Sequence, residues 1–280
     1  MLSVKDTLQR RLRRLDYSLQ ANRKDKEGES RADRDRQFRN INETAKRFLQ
    51  HGEPVISVDT KKKERIGNFK NNGQKGRKKG QAPKVNVYDF PSLAEGTAIP
   101  CGAYDVHRNE GRVKVGMTHD TAEFAVESIR RWWWQFGIRH YPTAQRLFIC
   151  ADSGGSNAAR NRAWKYHLQN FSDESRLEIV VGHYPPGTSK WNKIEHRMVS
   201  FISMNGKGEP LISFETVVNM ISATKPNQGL RIKAVLDRRR YETGVQISDE
   251  QMKALHLPPH PENPRWNYSL LPRISPSKHL

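Results

Sequence analysis

Five consecutive apolar residues, Leu147-Phe148-Ile149-Cys150-Ala151, constrain this chain more than any other feature. A run of that length fits a β-strand, and successive side chains of a strand point to opposite sides of its sheet, so such a strand is buried on both faces. A sheet covered on both faces needs helices above and below it, and the flanking patterns supply them. Ala122, Val126, Ile129, Trp133 and Phe136 recur at helical spacing before Gly137, and a second helix is expected over 158–168. Leu177–Val181 forms another strand, broken by Pro185-Pro186-Gly187, with helices following at about 190–203 and 214–223. Upstream, Val55-Ile56-Ser57-Val58-Asp59 is a short β-branched strand. Segments 102–107 and 112–118 form a hairpin around Asn109-Glu110-Gly111.

Three strands, then helix, strand, helix, strand, helix: this order predicts an α/β fold with a mixed five-stranded sheet and helices on both faces, the element order of the ribonuclease H fold. That core spans 53–236. Residues 1–52 form an N-terminal helical region. Its first helix carries Val4, Leu8, Leu12 and Leu15, an N-terminal cap at Ser3 with Asp6, and Arg10, Arg11, Arg13 and Arg14. The second, over about 33–50, carries Phe38, Ile41, Ala45, Phe48 and Leu49 on one face. Residues 237–280 form a C-terminal extension whose last 23 residues hold six prolines and no period, an irregular tail. In Trp132-Trp133-Trp134, the apolar stripe claims Trp133 for the core and turns the other two elsewhere.

The 280 residues carry 49 Lys+Arg against 30 Asp+Glu, a net +19 that points to a polyanionic partner, most simply nucleic acid. Nine of the bases (Lys61, Lys62, Lys63, Arg65, Lys70, Lys75, Arg77, Lys78, Lys79) sit in a Gly- and Asn-rich stretch, read as an exposed basic insertion within 60–100. Two cysteines, Cys101 and Cys150, are too few for a disulfide scaffold or a four-cysteine zinc site and suit a reducing cytoplasmic compartment. No apolar run has membrane-spanning length, and the N-terminus has no signal-peptide core.

Three acids fall at element ends. Asp59 ends the first strand, Asp152 follows the apolar run, and Glu195 lies on the helix after the next strand. If the first and fourth strands are neighbours, all three converge. Converging carboxylates repel and need a cation, and a hard oxygen donor set selects Mg²⁺ or Mn²⁺. Two such ions form the standard arrangement for displacement at phosphorus. Each acid also has a plainer reading, as a turn cap for the aspartates and a solvated helix residue for Glu195. Asn157, after the small-residue loop 152–156, is a candidate phosphate contact at a helix start or part of an ordinary turn. Asn192 shares a helix face with Glu195 and either orients it or contacts DNA, and Lys190 at the same helix start is a further candidate. His183 and His196 flank the third acid without a zinc spacing.

These residues also resemble a known group. Val55–Glu64, Ala151–Asn157 and Tyr184–His196, the last holding Pro185-Pro186 and Asn192-Lys193-Ile194-Glu195, resemble bacterial insertion-sequence transposases with a Rhodopirellula-type DDE domain, from about Tyr17 to Tyr268. The resemblance implies a ribonuclease H-like core in which Asp59, Asp152 and Glu195 are the catalytic, metal-binding acids. It also implies two Mg²⁺ or Mn²⁺ ions, strand cleavage and strand transfer on double-stranded transposon-end and target DNA, and a bacterial cytoplasmic, nucleoid-associated setting. A homo-oligomer on DNA is compatible with it. Lys61, Lys62, Lys63, Arg65, Lys78, Lys79, Asn157, Lys190 and Asn192 are the expected DNA contacts. Such families begin with a helix-turn-helix region, of which 4–15 resembles the last helix. Two alternatives stay open: a nuclease of the same fold that cuts without joining, and a remnant that binds DNA without cutting.

Overall fold

A computed structural model describes residues 4–18, 32–188, 191–226, 229–258 and 260–273. The chain divides into two compact units, 1–31 and 32–280. The first holds helix α1 (Val4–Arg14), whose Arg10, Arg11, Arg13 and Arg14 are exposed together with Leu12. Ser3, its expected cap, lies outside the described residues.

The second unit begins with α2 (Ala32–Gln50), followed by strands β1 (Val55–Thr60), β2 (Glu64–Ile66), β3 (Gly96–Asp105) and β4 (Glu110–Gly116). Helix α3 (Ala122–Trp132) runs through a π-helical turn, Trp133–Gly137, into the single turn α4 (Ile138–His140). Then come β5 (Arg146–Ala151), α5 (Arg162–Ser175) and β6 (Glu178–His183). A second π-helical turn, Glu195–Val199, leads into α6 (Ser200–Asn205). Helix α7 (Phe214–Ser222), β7 (Arg231–Asp237), α8 (Asp249–Lys253) and β8 (Asn267–Leu270) complete the unit. Among the described residues no helix is long and apolar enough to cross a membrane.

The strand order is β7-β4-β3-β1-β5-β6-β8, with β2 paired to β3. β1 is antiparallel to β3 and parallel to β5, and β5 is parallel to β6. The five central strands are the expected mixed, ribonuclease H-like sheet with helices on both faces. Each edge gains one more strand: β7 parallel to β4, and β8 antiparallel to β6. β8 corrects the expectation of an irregular tail, because Tyr268 and Leu270 bury themselves against the sheet edge.

The apolar run explains the layering. Leu147 and Ile149 pack into the core under α3 and α5, together with Ile56, Val58, Trp164 and Leu168. Phe148 and Cys150 face the other way, under Ile41, Ala45 and Phe48 of α2. Each fully buried large side chain contributes about 1.5–3 kcal/mol. On that second face, Ile194, Met198 and Ile202 pack over β3 and β4 with Val217 and Ile221 of α7.

Two boundaries differ from the sequence reading for local reasons. α5 starts at Arg162 because the Asn161 side chain caps it, accepting from the backbone of Ala163 and Trp164. The π-helical turn after α3 carries an extra residue per turn, so Trp132 as well as Trp133 is buried, and only Trp134 is partly exposed.

The helix bearing Glu195 approaches the sheet closely over two glycines. A Cβ at Gly102 would lie 2.5 Å from Met198 Cε and 3.0 Å from Ile194 Cδ1, and one at Gly111 would overlap Met198 Sδ. Gly111→Ala is therefore expected to lower stability in urea unfolding by about 1–3 kcal/mol, the range for an overpacked core. Met198→Ala in the same chain should recover part of that loss. An equal loss with and without Met198 would show that this overlap is not its cause.

Candidate active site

Asp59 and Asp152 sit at the parallel ends of adjacent strands: Val58 pairs with Ala151, and each acid follows directly in its own chain. Side chains alternate along β1. Ile56 and Val58 face α3 and α5, so Ser57 and Asp59 face the helix of Glu195. That helix is pinned to β1 by a buried polar knot. The Ser57 hydroxyl donates to Asn192 Oδ1, Asn192 Nδ2 donates to Val58 O at 3.4 Å, and the Ile194 backbone N–H donates to Ser57 Oγ at 3.1 Å. Asn192 is fully buried. Its amide therefore faces the sheet and not solvent, and the helix begins after it, later than the expected 190. Glu195 stands in the first turn as a result.

The three carboxylates interact. Burial, then the charge of Asp152, then a hydrogen bond with Glu195 push the Asp59 carboxyl up to about 9, while the Thr60 backbone N–H, 2.7 Å from Asp59 Oδ1, opposes the rise. Asp152 is pushed up to about 6, mainly by burial. The Gly154 N–H lowers it, and Glu195 and Asp120 raise it. None of the three acids is ion-paired with Lys or Arg among the described residues. Among the described residues this cluster of negative charge thus has no ion-paired cation, and an all-oxygen donor set of this kind suits Mg²⁺ or Mn²⁺. Among the described residues no group of three or more His, Cys, Asp or Glu side chains is drawn together closely enough to hold a metal ion, and the interaction of the three acids is the electrostatic one just described.

Asp152 is held by Asn157 and His183, and the turn that follows it by Ser153. Asn157 is almost fully buried, and its amide satisfies its surroundings when the nitrogen donates to Asp152 Oδ1 at 3.0 Å and to Gly154 O at 2.8 Å. The Asn157 amide is thus turned toward the acid. Ser153 Oγ donates to Tyr184 O. His183 is wholly buried, which lowers its pKa to about 4 and keeps it neutral. Its Nδ1 lies 2.7 Å from Asp152 O, an acceptor only, so Nδ1 carries the proton. Nε2 then accepts from Tyr268 Oη at 2.9 Å, and that oxygen accepts from Trp164 Nε1 at 2.8 Å. Every donor and acceptor along Trp164–Tyr268–His183–Asp152 is assigned in one direction. Tyr268→Phe strands two buried nitrogens, and it is expected to cost about 2–6 kcal/mol in urea unfolding, roughly 1–3 for each unpaired group. A loss below about 0.5 kcal/mol, half the smallest cost of one unpaired group, would contradict the directed chain.

Sequence reading missed Asp120. It lies just before the α3 cap Thr121, where an acid reads as a helix-start residue, yet its carboxylate reaches Thr60 Oγ1 at 3.5 Å and Lys63 Nζ at 3.5 Å and acts on Asp152. The basic insertion is also less free than its composition suggests. Lys61 is buried and paired with Glu64, and Lys75 and Arg77 pair with Glu209 at 3.0 and 2.7 Å. Ile66 and Phe69 are buried, and Asn71 Nδ2 donates to Gly206 O at 2.9 Å, laying the segment against 205–211. Lys62, Lys63, Arg65, Lys78 and Lys79 remain exposed. Lys190 lies outside the described residues. His196 is exposed and His183 is structural.

A family model described as Rhodopirellula transposase DDE domain matches residues 3–272. No curated protein matches the chain in sequence. Among solved structures, the chain is similar to a Mos1 transposase paired-end complex with left transposon end (11% identity, TM-score 0.47) and to a pre-cleavage Mos1 transpososome (11%, 0.48). It is also similar to a Mos1 mariner paired-end complex with Mn (13%, 0.43). Each match covers 76% of this chain and 60% of the other, so the chain spans about three-fifths of the length of those structures.

Proposed function

Because the chain belongs to the Rhodopirellula transposase DDE domain family, we propose that it cuts DNA strands and joins them to new ones through Asp59, Asp152 and Glu195, which together hold two Mg²⁺ or Mn²⁺ ions. One observation supports this reading: Asp59 and Asp152 follow paired residues of adjacent strands, and both interact electrostatically with Glu195 in the first helical turn, with no Lys or Arg ion-paired to any of the three among the described residues.

Asp59 and Asp152 would present oxygens from the sheet and Glu195 from the helix above it. When bound, the two ions supply activation of the attacking oxygen, water for cutting and a DNA 3′-hydroxyl for joining, and stabilisation of the leaving 3′-oxygen. The rest falls to positioning, the main demand of phosphoryl transfer. Asn157 and the Thr60 N–H fix the orientation of the strand-end carboxylates, and the Ser57–Asn192 knot fixes the height of Glu195 above the sheet. Lys62, Lys63, Arg65, Lys78 and Lys79 would neutralise backbone phosphates of end and target duplexes, giving largely sequence-independent, salt-sensitive affinity. Lys63 is shared with Asp120, so a phosphate arriving there competes with a carboxylate that bears on Asp152.

The test supplies the purified chain with Mn²⁺ or Mg²⁺, duplexes from the outermost ends of the DNA element that encodes it, and a target plasmid. Transfer predicts cut strands with 3′-hydroxyl ends and covalently joined products. Cuts without joined products would replace transfer by simple nuclease action, and binding without either would leave a DNA-binding remnant.

A further inference from the structure

A second basic cleft lies on the opposite face of the sheet from the acids. Arg112 shares its register row with Ala103 and Val58, which face α3 and α5, whereas Asp59 shares its row with Gly102 and Val113, on the other face. The cleft encloses about 460 Å³ between β4, β7 and the π-helical turn at the far end of α3. That size suits a group the size of a nucleotide. Its walls include Arg112, Arg131, Arg139, Lys233, Trp134 and Phe136, and among the described residues no acid lines it.

The cations fall into two kinds. Arg131 is paired with Glu127 at 3.0 Å, and Arg112 with Glu110 at 3.4 Å, its guanidinium stacked 3.7 Å from the Phe136 ring centre. Arg139 and Lys233 have no acidic partner among the described residues, and Lys233 stands 6.0 Å from the Phe136 ring. Beside them the π-helical turn, a feature often found at functional sites, leaves Trp134 37% exposed while its neighbours Trp132 and Trp133 are buried. A large aromatic held in water beside unpaired cations matches the stacking face and phosphate contacts of single-strand recognition. A stacked, paired duplex cannot offer a single base to so small a cleft.

We propose that this cleft binds an unpaired DNA segment, with one base stacked on Trp134 and its flanking phosphates on Arg139 and Lys233. The assignment rests on DNA being the substrate of the acid site, since cuts staggered between the two strands of a duplex leave single-stranded ends. The cleft would hold such an end away from Asp59, Asp152 and Glu195.

Binding of a fluorescent oligothymidylate and of a duplex of matched length to the full chain tests this by anisotropy, with tryptophan emission recorded in parallel. Trp134→Ala should weaken oligothymidylate binding about 5- to 100-fold, the range of one aromatic–base stack, and remove most of the emission quenching. Trp134→Phe should keep most of the affinity. Arg139→Ala with Lys233→Ala should weaken the single strand and reduce its salt slope by about 0.7 for each phosphate that is no longer neutralised. Duplex affinity and Mn²⁺-dependent plasmid nicking should stay at wild-type levels in all three. Unchanged oligothymidylate binding in Trp134→Ala, or an equal loss for duplex and single strand, would overturn the cleft assignment. Failure of the wild-type chain to nick DNA would instead strike the proposed function, leaving the oligonucleotide comparison interpretable by itself.

Discussion

Replacing Asp59 by Asn should abolish strand cleavage and, in the absence of divalent metal, make the protein more stable. The Asp59 carboxyl is pushed up to about 9 by burial and by Asp152 and Glu195, against an ordinary value of 3.8. A carboxyl with a raised folded-state pKa favours the fold while it is protonated in both states, below about 4, and loses that stability as pH rises toward about 9. The metal-free protein should therefore melt at progressively lower temperature as pH is raised through that window. Each tenfold difference in proton affinity between folded and unfolded chain is worth about 1.4 kcal/mol. Asn cannot ionise. At about pH 8 the variant should melt at least about 2–4 °C higher than the metal-free wild type, the effect of about 1 kcal/mol in a chain of this size. Mn²⁺ should stabilise the wild type, by about 2.7 kcal/mol at roughly a hundredfold excess over its dissociation constant, and the variant far less. Differential scanning fluorimetry with and without Mn²⁺ reads all of this. A variant no more stable than wild type without metal would mean that the acids are not in conflict.

The second large effect is expected at Asn192, whose buried amide is turned away from any DNA. Asn192→Leu keeps the size of the side chain and removes both of its hydrogen bonds, leaving the Ser57 hydroxyl and the Val58 carbonyl short of a partner inside the core. The expected cost is about 1–3 kcal/mol in stability. The first turn carrying Glu195 loses its tie to β1, and support groups behind metal ligands typically change affinity or rate by about 10–100-fold. Nicking at low Mn²⁺ should fall by that factor, high Mn²⁺ should restore part of it, and duplex binding without metal should not change. A loss of duplex binding matching the loss of rate would make Asn192 a DNA contact after all.

Much of this architecture is written locally. The run 147–151 is apolar at every position because β5 lies between two helix layers, and the acid that follows it is therefore placed without knowledge of the rest of the chain. The convergence of Asp59 with Asp152 follows once β1 and β5 are neighbours, which the element order implies. Other features depend on distant partners. β8 is four residues long and exists as a strand only because β6 offers an edge. β7 alternates visibly, with Ile232, Ala234 and Leu236 on its α7 side, but a seven-residue edge strand lies beyond the five that the fold requires. Lys61, Lys75 and Arg77 read as free charge because composition does not reveal that Glu64 and Glu209 neutralise them. The π-helical turns at 133–137 and 195–199 differ from α-helix by one residue, too little for apolar periodicity to register. Asn157 and Asn192 stand out in the sequence by position, and only the fold turns their amides inward.

If Asp59, Asp152 and Glu195 form one metal-dependent cutting centre, removing any one of them must stop cutting without unfolding the chain. Nicking of a supercoiled plasmid by the purified chain in Mn²⁺, compared with its Glu195→Gln variant of unchanged circular dichroism, tests this most directly. The expected result is nicking by the wild type that vanishes on chelation, and a rate about a hundred- to a thousandfold lower in the variant, the scale of losing a group that stabilises transition-state charge. Nicking that persists in Glu195→Gln or in the presence of chelator, or a wild-type chain that does not nick, would contradict it.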